Sequence, residues 1–285
     1  MTPRDLALTA SSLGNPPFRE LVQASCDAGF AGLSIWPATW LRAREDGWTD
    51  AAMRAALTDH GLVVQDVDAA VVWAGADDPG PPYWGEDPPE DVVLRVAEAL
   101  DAPVCNVLVC GSPGVSEEVV GELLAGVAER LNRRGLAVVV EFTRRTAVLD
   151  VESTARVVAI ARSAGHDISL NLDVWHHRWS TSAGAPLTPE VASLVGQMQL
   201  NDAPAHDVPD YAWANRHARL PPGEGDCDVA GLVRAVRDAN PEAAMVVEVF
   251  NDRLLDELGV LGMARRLAMA GRSVDRFLEP SSEGG

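Results

Sequence analysis

Four oxygen-bearing side chains sit at the ends of apolar runs in the second half of the chain. They are Glu141 in "VVVEF", Asp173 in "NLDVWHH", Gln199 in "QMQLND" and Glu248 in "VVEVF". Each acid follows apolar strand residues, which carry it to the rim of a hydrophobic interior. An isolated carboxylate there costs several kcal/mol unless it is paired or holds a cation. No Lys or Arg lies on these strands to pair with them. A divalent ion bound by Glu141, Asp173 and Glu248 removes the cost. Gln199 then has a role as well, its carbonyl oxygen being the fourth ligand. Oxygen-only ligation favours a hard ion, Mn²⁺ or Mg²⁺, with Co²⁺ or Zn²⁺ as alternatives.

The competing explanations differ by residue. A single strand-end acid is more often a helix N-cap or loop anchor than a ligand. Asp202 fits that description and is left outside the ligand set, whereas four such groups in register over successive strands favour the metal. His176, three residues beyond Asp173, is either a substrate contact or a partner of the ligands, and His177 is expected to point away. Arg219 is read as a substrate contact, a loop cation able to meet a carboxylate or phosphate. For Arg216 and His217 a loop-anchoring salt bridge is the alternative role. Trp36, Trp40, Trp73 and Trp84 follow early strands, where packing is the default; Trp36 and Trp73 are taken as walls of a substrate pocket.

What positions these residues is an alternation of short apolar runs with helical patterns. The expected strands are 6–9, 32–35, 62–67, 104–110, 136–142, 168–173, 197–202 and 244–250. Helices such as "FRELVQASCDAG" and "SEEVVGELLAGVAERLNRRG" lie between them, several ending in Gly. Runs that are apolar throughout suit strands covered by helices on one face and a packed interior on the other. Eight βα units in 285 residues predict a single-domain (β/α)8 TIM barrel over 1–278, with a disordered tail at 279–285. A doubly wound open sheet is the alternative, but no glycine-rich phosphate loop follows the first strand. Two long connections, 68–91 and 203–228, both follow strands and so belong to the C-terminal face, where such barrels keep their sites.

Bulk properties restrict the partners. The net charge is −19, from 42 acids against 23 basic residues, and no basic cluster offers a phosphate-backbone face. Nucleic acid is therefore excluded as a partner. There is no run of about 18 apolar residues for a membrane span, nor a signal-peptide pattern, so a cytoplasmic location is expected. Cys105 and Cys110 fall on one strand about 16 Å apart, too far to bridge, and all four cysteines are expected to be reduced.

The order Glu, Asp-x-x-His, a polar strand-seven residue followed by Asp, a Pro-Gly-x-Gly loop and a last-strand Glu resembles the xylose isomerase-like barrels. That family includes sugar-phosphate isomerases and epimerases, inosose isomerases and dehydratases, and 3-dehydroshikimate dehydratases. Strand spacing and "LVQASCDAGFAGLSIW" also fit. Many relatives have His where this chain has Gln199. The 3-dehydroshikimate dehydratases are similar to it in having Gln there, and in "QLNDAP", "RHARLPPGEGD" and "EVFND".

The resemblance implies a metal that grips a carbonyl and an adjacent hydroxyl, with Glu141 and Glu248 as acid and base on opposite faces of the substrate. Isomerisation, epimerisation and dehydration share the first proton abstraction. The leading expectation is a metal-dependent isomerase or epimerase of a small keto-sugar or cyclitol, working through an enediolate. A dehydratase of the 3-dehydroshikimate type is second, and a non-catalytic binding barrel third. The implied partner is a small polyhydroxylated carbonyl compound, with homo-oligomers an open option.

Overall fold

The computed structural model describes residues 6–75, 87–111 and 114–276. Trp84 and the tail from 279 lie outside them. Eight parallel strands close a barrel in sequence order: β1 (Leu6–Thr9), β2 (Gly32–Ile35), β3 (Val63–Ala74), β4 (Val104–Gly111), β5 (Ala137–Glu141), β6 (Ile168–Asp173), β7 (Val195–Leu200) and β8 (Ala244–Val247). Pairing of Leu6–Leu8 with Met245–Val247 closes the ring, which rules out the open sheet. Around it stand α1 (Phe18–Ala28), α2 (Pro37–Glu45), α3 (Asp50–Asp59), α4 (Glu90–Leu100), α5 (Glu117–Asn132), α6 (Val151–Ser163), α7 (Val174–Arg178), α8 (Pro189–Leu194), α9 (Tyr211–His217), α10 (Val229–Ala239) and α11 (Asp252–Arg276).

Local signals set the helix ends. Ser116 and Asp150 accept the backbone N–H of Val119 and Ser153, capping α5 and α6. Gly29, at φ 81°, stops α1 in the left-handed conformation that a side chain would resist. On α5 the buried Val120, Leu124, Val127, Ala128 and Leu131 recur at helical spacing and form one face against the barrel.

The two-residue period of the strands decides what faces inward. On β4 to β8, Val107, Val109, Val138, Val140, Leu170, Leu172, Met198, Leu200, Met245 and Val247 all belong to the core cluster between sheet and helices. The alternate positions, Asn106, Glu141, Asn171, Asp173, Gln197, Gln199 and Glu248, are polar, buried and turned inward. The interior of this barrel is therefore rich in polar groups inside an apolar jacket.

Two expectations need correction. Strand three was expected to end at residue 67 with a loop from 68, but β3 continues to Ala74 because Ala70–Ala74 pair with Val107–Gly111 of β4. The 203–228 connection is not a bare loop, since α9 lies within it. Among the described residues no helix is long and apolar enough to cross a membrane. All four cysteines are free thiols.

Candidate metal centre

Asp173 shows how one residue serves two ends. It closes β6 and caps α7. Its Oδ1 accepts the N–H groups of Trp175 (2.7 Å) and His176 (3.3 Å) and the amide of Asn201 (2.9 Å). Oδ2 faces the barrel mouth, where it accepts from Arg219 Nη1 at 2.8 Å and lies 3.8 Å from His176 Nε2. The N-cap role and a place in the site are both filled, by different oxygens.

Around it the mouth is assembled strand by strand. Glu141 Oε2 accepts from Asn106 of β4 at 2.6 Å, and its Oε1 faces His176 Nε2 at 3.4 Å. Gln199 is fully buried and donates Nε2 to Glu248 Oε1 at 3.2 Å. Its Oε1 has no hydrogen-bond partner among the described residues. Glu248 also accepts from Thr9 of β1 at 3.2 Å and from Arg219 at 3.0 Å. Donor atoms of Glu141, Asp173 and His176 all lie within 4.8 Å of one another, a buried cluster that could hold a metal ion. Glu141, His176, Arg219 and Glu248 line one pocket of about 220 Å³, together with Trp36, Phe250 and Asp68.

Arg219 arrives from the loop after α9 and is 2% exposed. Its backbone pairs with Phe250 and Asn251, and its Nε and Nη2 donate to Asn215. The guanidinium stacks over Phe250 at 4.8 Å and bridges Asp173 to Glu248. The strands supply no cation, as their sequences state, but this loop does. Arg219 is thereby engaged by two site carboxylates.

Electrostatics follow the same geometry. Burial lifts Glu141 and Glu248 well above the usual carboxylate range, Glu141 further through the charges of Asp68, Glu248 and Asp173. Asp173 stays below its usual range, because the charge of Arg219 and the hydrogen bonds from Asn201 and Arg219 outweigh its burial. Burial takes His176 down to about 4, so its ring is neutral. Its Nδ1 shares a hydrogen bond with the Tyr211 hydroxyl at 2.7 Å.

Sequence reasoning missed the β3–β4 side of the mouth. Asp68, 6% exposed, accepts from Asn106 Nδ2 (2.6 Å) and from Trp36 Nε1 (2.9 Å). Asp66, one inward step below, accepts from Gln197 Nε2 at 3.0 Å. The signal was present in "VVQDVDAA", where two acids two residues apart share a face of the strand. Asn106 in "VCNVLVC" is a polar interruption of the same kind as Gln199.

Five carboxylates, Asp66, Asp68, Glu141, Asp173 and Glu248, are thus buried against one buried guanidinium among the described residues. A divalent cation fits this donor set, relieving the excess negative charge and giving the unpartnered Gln199 oxygen a partner.

The remaining residues sort clearly. Trp36 lines the pocket, its ring edge-on to Phe250 at 5.8 Å. Trp73 packs instead against the Ala69, Leu108 and Cys110 cluster and is not among the residues lining that pocket. His177 turns to a separate cavity. His217 pairs with Asp252 at 2.6 Å. Trp40 donates to Asp50. Asp202 is a loop anchor, accepting the backbone N–H groups of Ala203, Gly223, Gly225 and Cys227.

The family model of the xylose isomerase-like TIM barrel matches residues 22–274. The chain belongs to that family. No curated protein sequence matches it. Solved xylose isomerase-like barrels share its fold at low identity. A fusion of such a barrel with 4-hydroxyphenylpyruvate dioxygenase is 19% identical with a TM-score of 0.75, covering 98% of this chain but 45% of the longer protein. The IOLI protein, solved with a bound zinc atom, is 13% identical with a TM-score of 0.75, over 95% of this chain and 97% of its own. D-psicose 3-epimerase from Clostridium cellulolyticum H10, solved with D-tagatose, is 13% identical with a TM-score of 0.66, over 97% and 100%. The family contains sugar isomerases, epimerases and dehydratases, and members are mostly enzymes acting on small sugars.

Proposed function

We propose that the protein is a divalent-metal-dependent isomerase or epimerase that removes the proton α to the carbonyl of a small, uncharged keto-sugar or cyclitol. The observation that carries this reading is the ring of Glu141, Asp173, Gln199 and Glu248, with an unpartnered Gln199 oxygen and more buried acid than Arg219 can balance. These four residues would hold the ion, with His176 beside them. A divalent ion bound there supplies Lewis acidity, polarising the substrate carbonyl and stabilising the charge left when the proton departs.

The chain's own residues carry the rest. Glu141 and Glu248 reach the pocket from β5 and from beyond β8 and serve as base and acid, one removing the α-proton and the other returning a proton to the opposite face. Raised pKa values bring both nearer to neutrality than an exposed carboxylate, which suits proton exchange. Arg219 fixes Asp173 and Glu248 in place, and neutral His176 offers Nε2 to a substrate hydroxyl.

A neutral substrate is favoured because Arg219 is already committed to two carboxylates. Gln199 supports a second reading, dehydration of the 3-dehydroshikimate type, whose acidic substrate would have to draw Arg219 away from those partners.

The test loads the purified protein with Mn²⁺, Mg²⁺, Co²⁺ or Zn²⁺ and follows solvent-deuterium incorporation into a panel of ketoses and inososes. Exchange that requires metal is expected. A protein that binds no divalent ion at saturating Mn²⁺ overturns the reading, and water loss from 3-dehydroshikimate without exchange into any ketose moves it to the lyase.

A further inference from the structure

The pocket at the mouth does not end at its polar wall. Trp36, Asp68 and Arg216 line it and also line a second cavity of about 440 Å³ on the β2–β3 side. Trp36 is the partition. Its indole N–H is held by Asp68 at 2.9 Å, its ring packs edge-on against Phe250, and the residue lines both spaces. The two cavities differ in chemistry. The mouth carries the polar groups of Ser11, Ser12, Asn15, Glu141 and Glu248 beside Leu108, Phe250 and Leu255. The second is walled mainly by Pro37, Ala38, Leu41, Ala69, Pro89 and Val92, with Asp68, Asp87 and Arg216 also on its lining. Leu41 stays 42% exposed, an apolar side chain left facing this space.

We infer that the second cavity is a subsite for an apolar substituent of the substrate. The substrate class becomes a keto-sugar or cyclitol that carries an aromatic or aliphatic group, its polar ring at the mouth and that group beyond Trp36. Continuity through three shared residues ties the occupant to the same ligand as the mouth. A lining made mostly of Pro, Ala, Leu and Val gains from burying apolar surface. The inference rests on the mouth being the substrate site, as proposed above.

Hydroxamates test it, since their adjacent carbonyl and hydroxyl oxygens imitate the carbonyl–hydroxyl pair of an α-hydroxy ketone. Binding of acetohydroxamate is compared by calorimetry with a series carrying a phenyl group on linkers of one to four carbons, using Mn²⁺-loaded protein. The best phenyl member should bind at least about tenfold tighter than acetohydroxamate. Leu41→Asp and Ala38→Trp, which charge and fill the cavity on the exposed side of α2, should each remove that advantage while leaving acetohydroxamate binding unchanged. Equal affinity across the series overturns the inference, as does an advantage that survives both variants, or a failure of every hydroxamate to bind. The Mn²⁺ titration of the same samples reports separately on the mouth: metal bound with no phenyl advantage rejects only the subsite.

Discussion

The two halves of the barrel mouth hold their buried carboxylates by different means. On the β6–β8 side, Asp173 and Glu248 are bridged by Arg219 at 2.8 and 3.0 Å, and Asp173 keeps a low pKa although burial still lifts Glu248. On the β3–β5 side, Asp66, Asp68 and Glu141 are held by amides and an indole, namely Gln197, Asn106 and Trp36, and all three carboxyls are pushed up. Neutral donors orient a carboxylate without cancelling its charge. One half is therefore organised by an ion pair, and the other waits for a proton or a cation.

Breaking the ion-paired half should have the largest effect. Arg219→Met leaves two buried carboxylates without their counter-charge and should cost about 3–5 kcal/mol in urea unfolding of the metal-free protein. Mn²⁺ should raise the melting temperature of this variant more than that of the wild type, because a cation then supplies the missing charge. An unchanged unfolding midpoint would show that Asp173 and Glu248 do not depend on the guanidinium.

The next effect crosses the two halves. Glu141→Gln and Glu248→Gln each keep an oxygen but lose the base, so metal-dependent exchange of the substrate α-proton should fall by roughly 10²–10⁴-fold with metal partly retained. Activity that merely follows metal occupancy would reduce either residue to a ligand, with His176 the next group to examine as base.

Gln199 sharpens the comparison further, as the one neutral member of the ring. Gln199→Leu removes the unpartnered oxygen and should weaken Mn²⁺ binding by on the order of tenfold, whereas Gln199→His should keep binding and shift preference toward Zn²⁺. Equal Mn²⁺ affinity in the Leu variant would make Gln199 a core amide whose function ends at Glu248.

The same division marks what the sequence could disclose. Strands β1, β2 and β6 have the bounds that their apolar runs suggest, and position at the strand ends pointed Glu141, Asp173, Gln199 and Glu248 to one mouth. Strand β3 escaped because an acid in an apolar run reads as a strand end, while pairing with β4 carries this strand to Ala74. Asp68 was lost with it. Arg219 was legible as a loop cation, but its partners are 46 and 29 residues away, and only the return of the loop along Phe250 and Asn251 brings them together. Local pattern reveals which face a side chain takes. It does not reveal which charge meets it there.

The smallest effect belongs to Asp66, deepest in the half that lacks a cation. Burial, with Asp68 adding to it, raises its carboxyl from 3.8 to about 7. A folded-state pKa above the unfolded one means that the folded state binds the extra proton, so its contribution is fully present below about pH 4 and is lost as pH rises toward 7. Between those values wild-type stability should decline in part because Asp66 must ionise inside the barrel. Asp66→Asn preserves the shape, keeps an oxygen for Gln197 Nε2, and adds an N–H toward the Gln197 Oε1, which has no partner among the described residues. Its stability should match the wild type near pH 4 and exceed it increasingly up to about pH 8, read as the difference between two metal-free denaturation series. The subtraction cancels the titrating groups distant from Asp66, and the absence of metal keeps ion binding out of the measurement. Parallel pH profiles would mean that Asp66 ionises as easily folded as unfolded. The β3–β5 half would then already contain its counter-charge, and the contrast between the two sides of the mouth would fail at its deepest point.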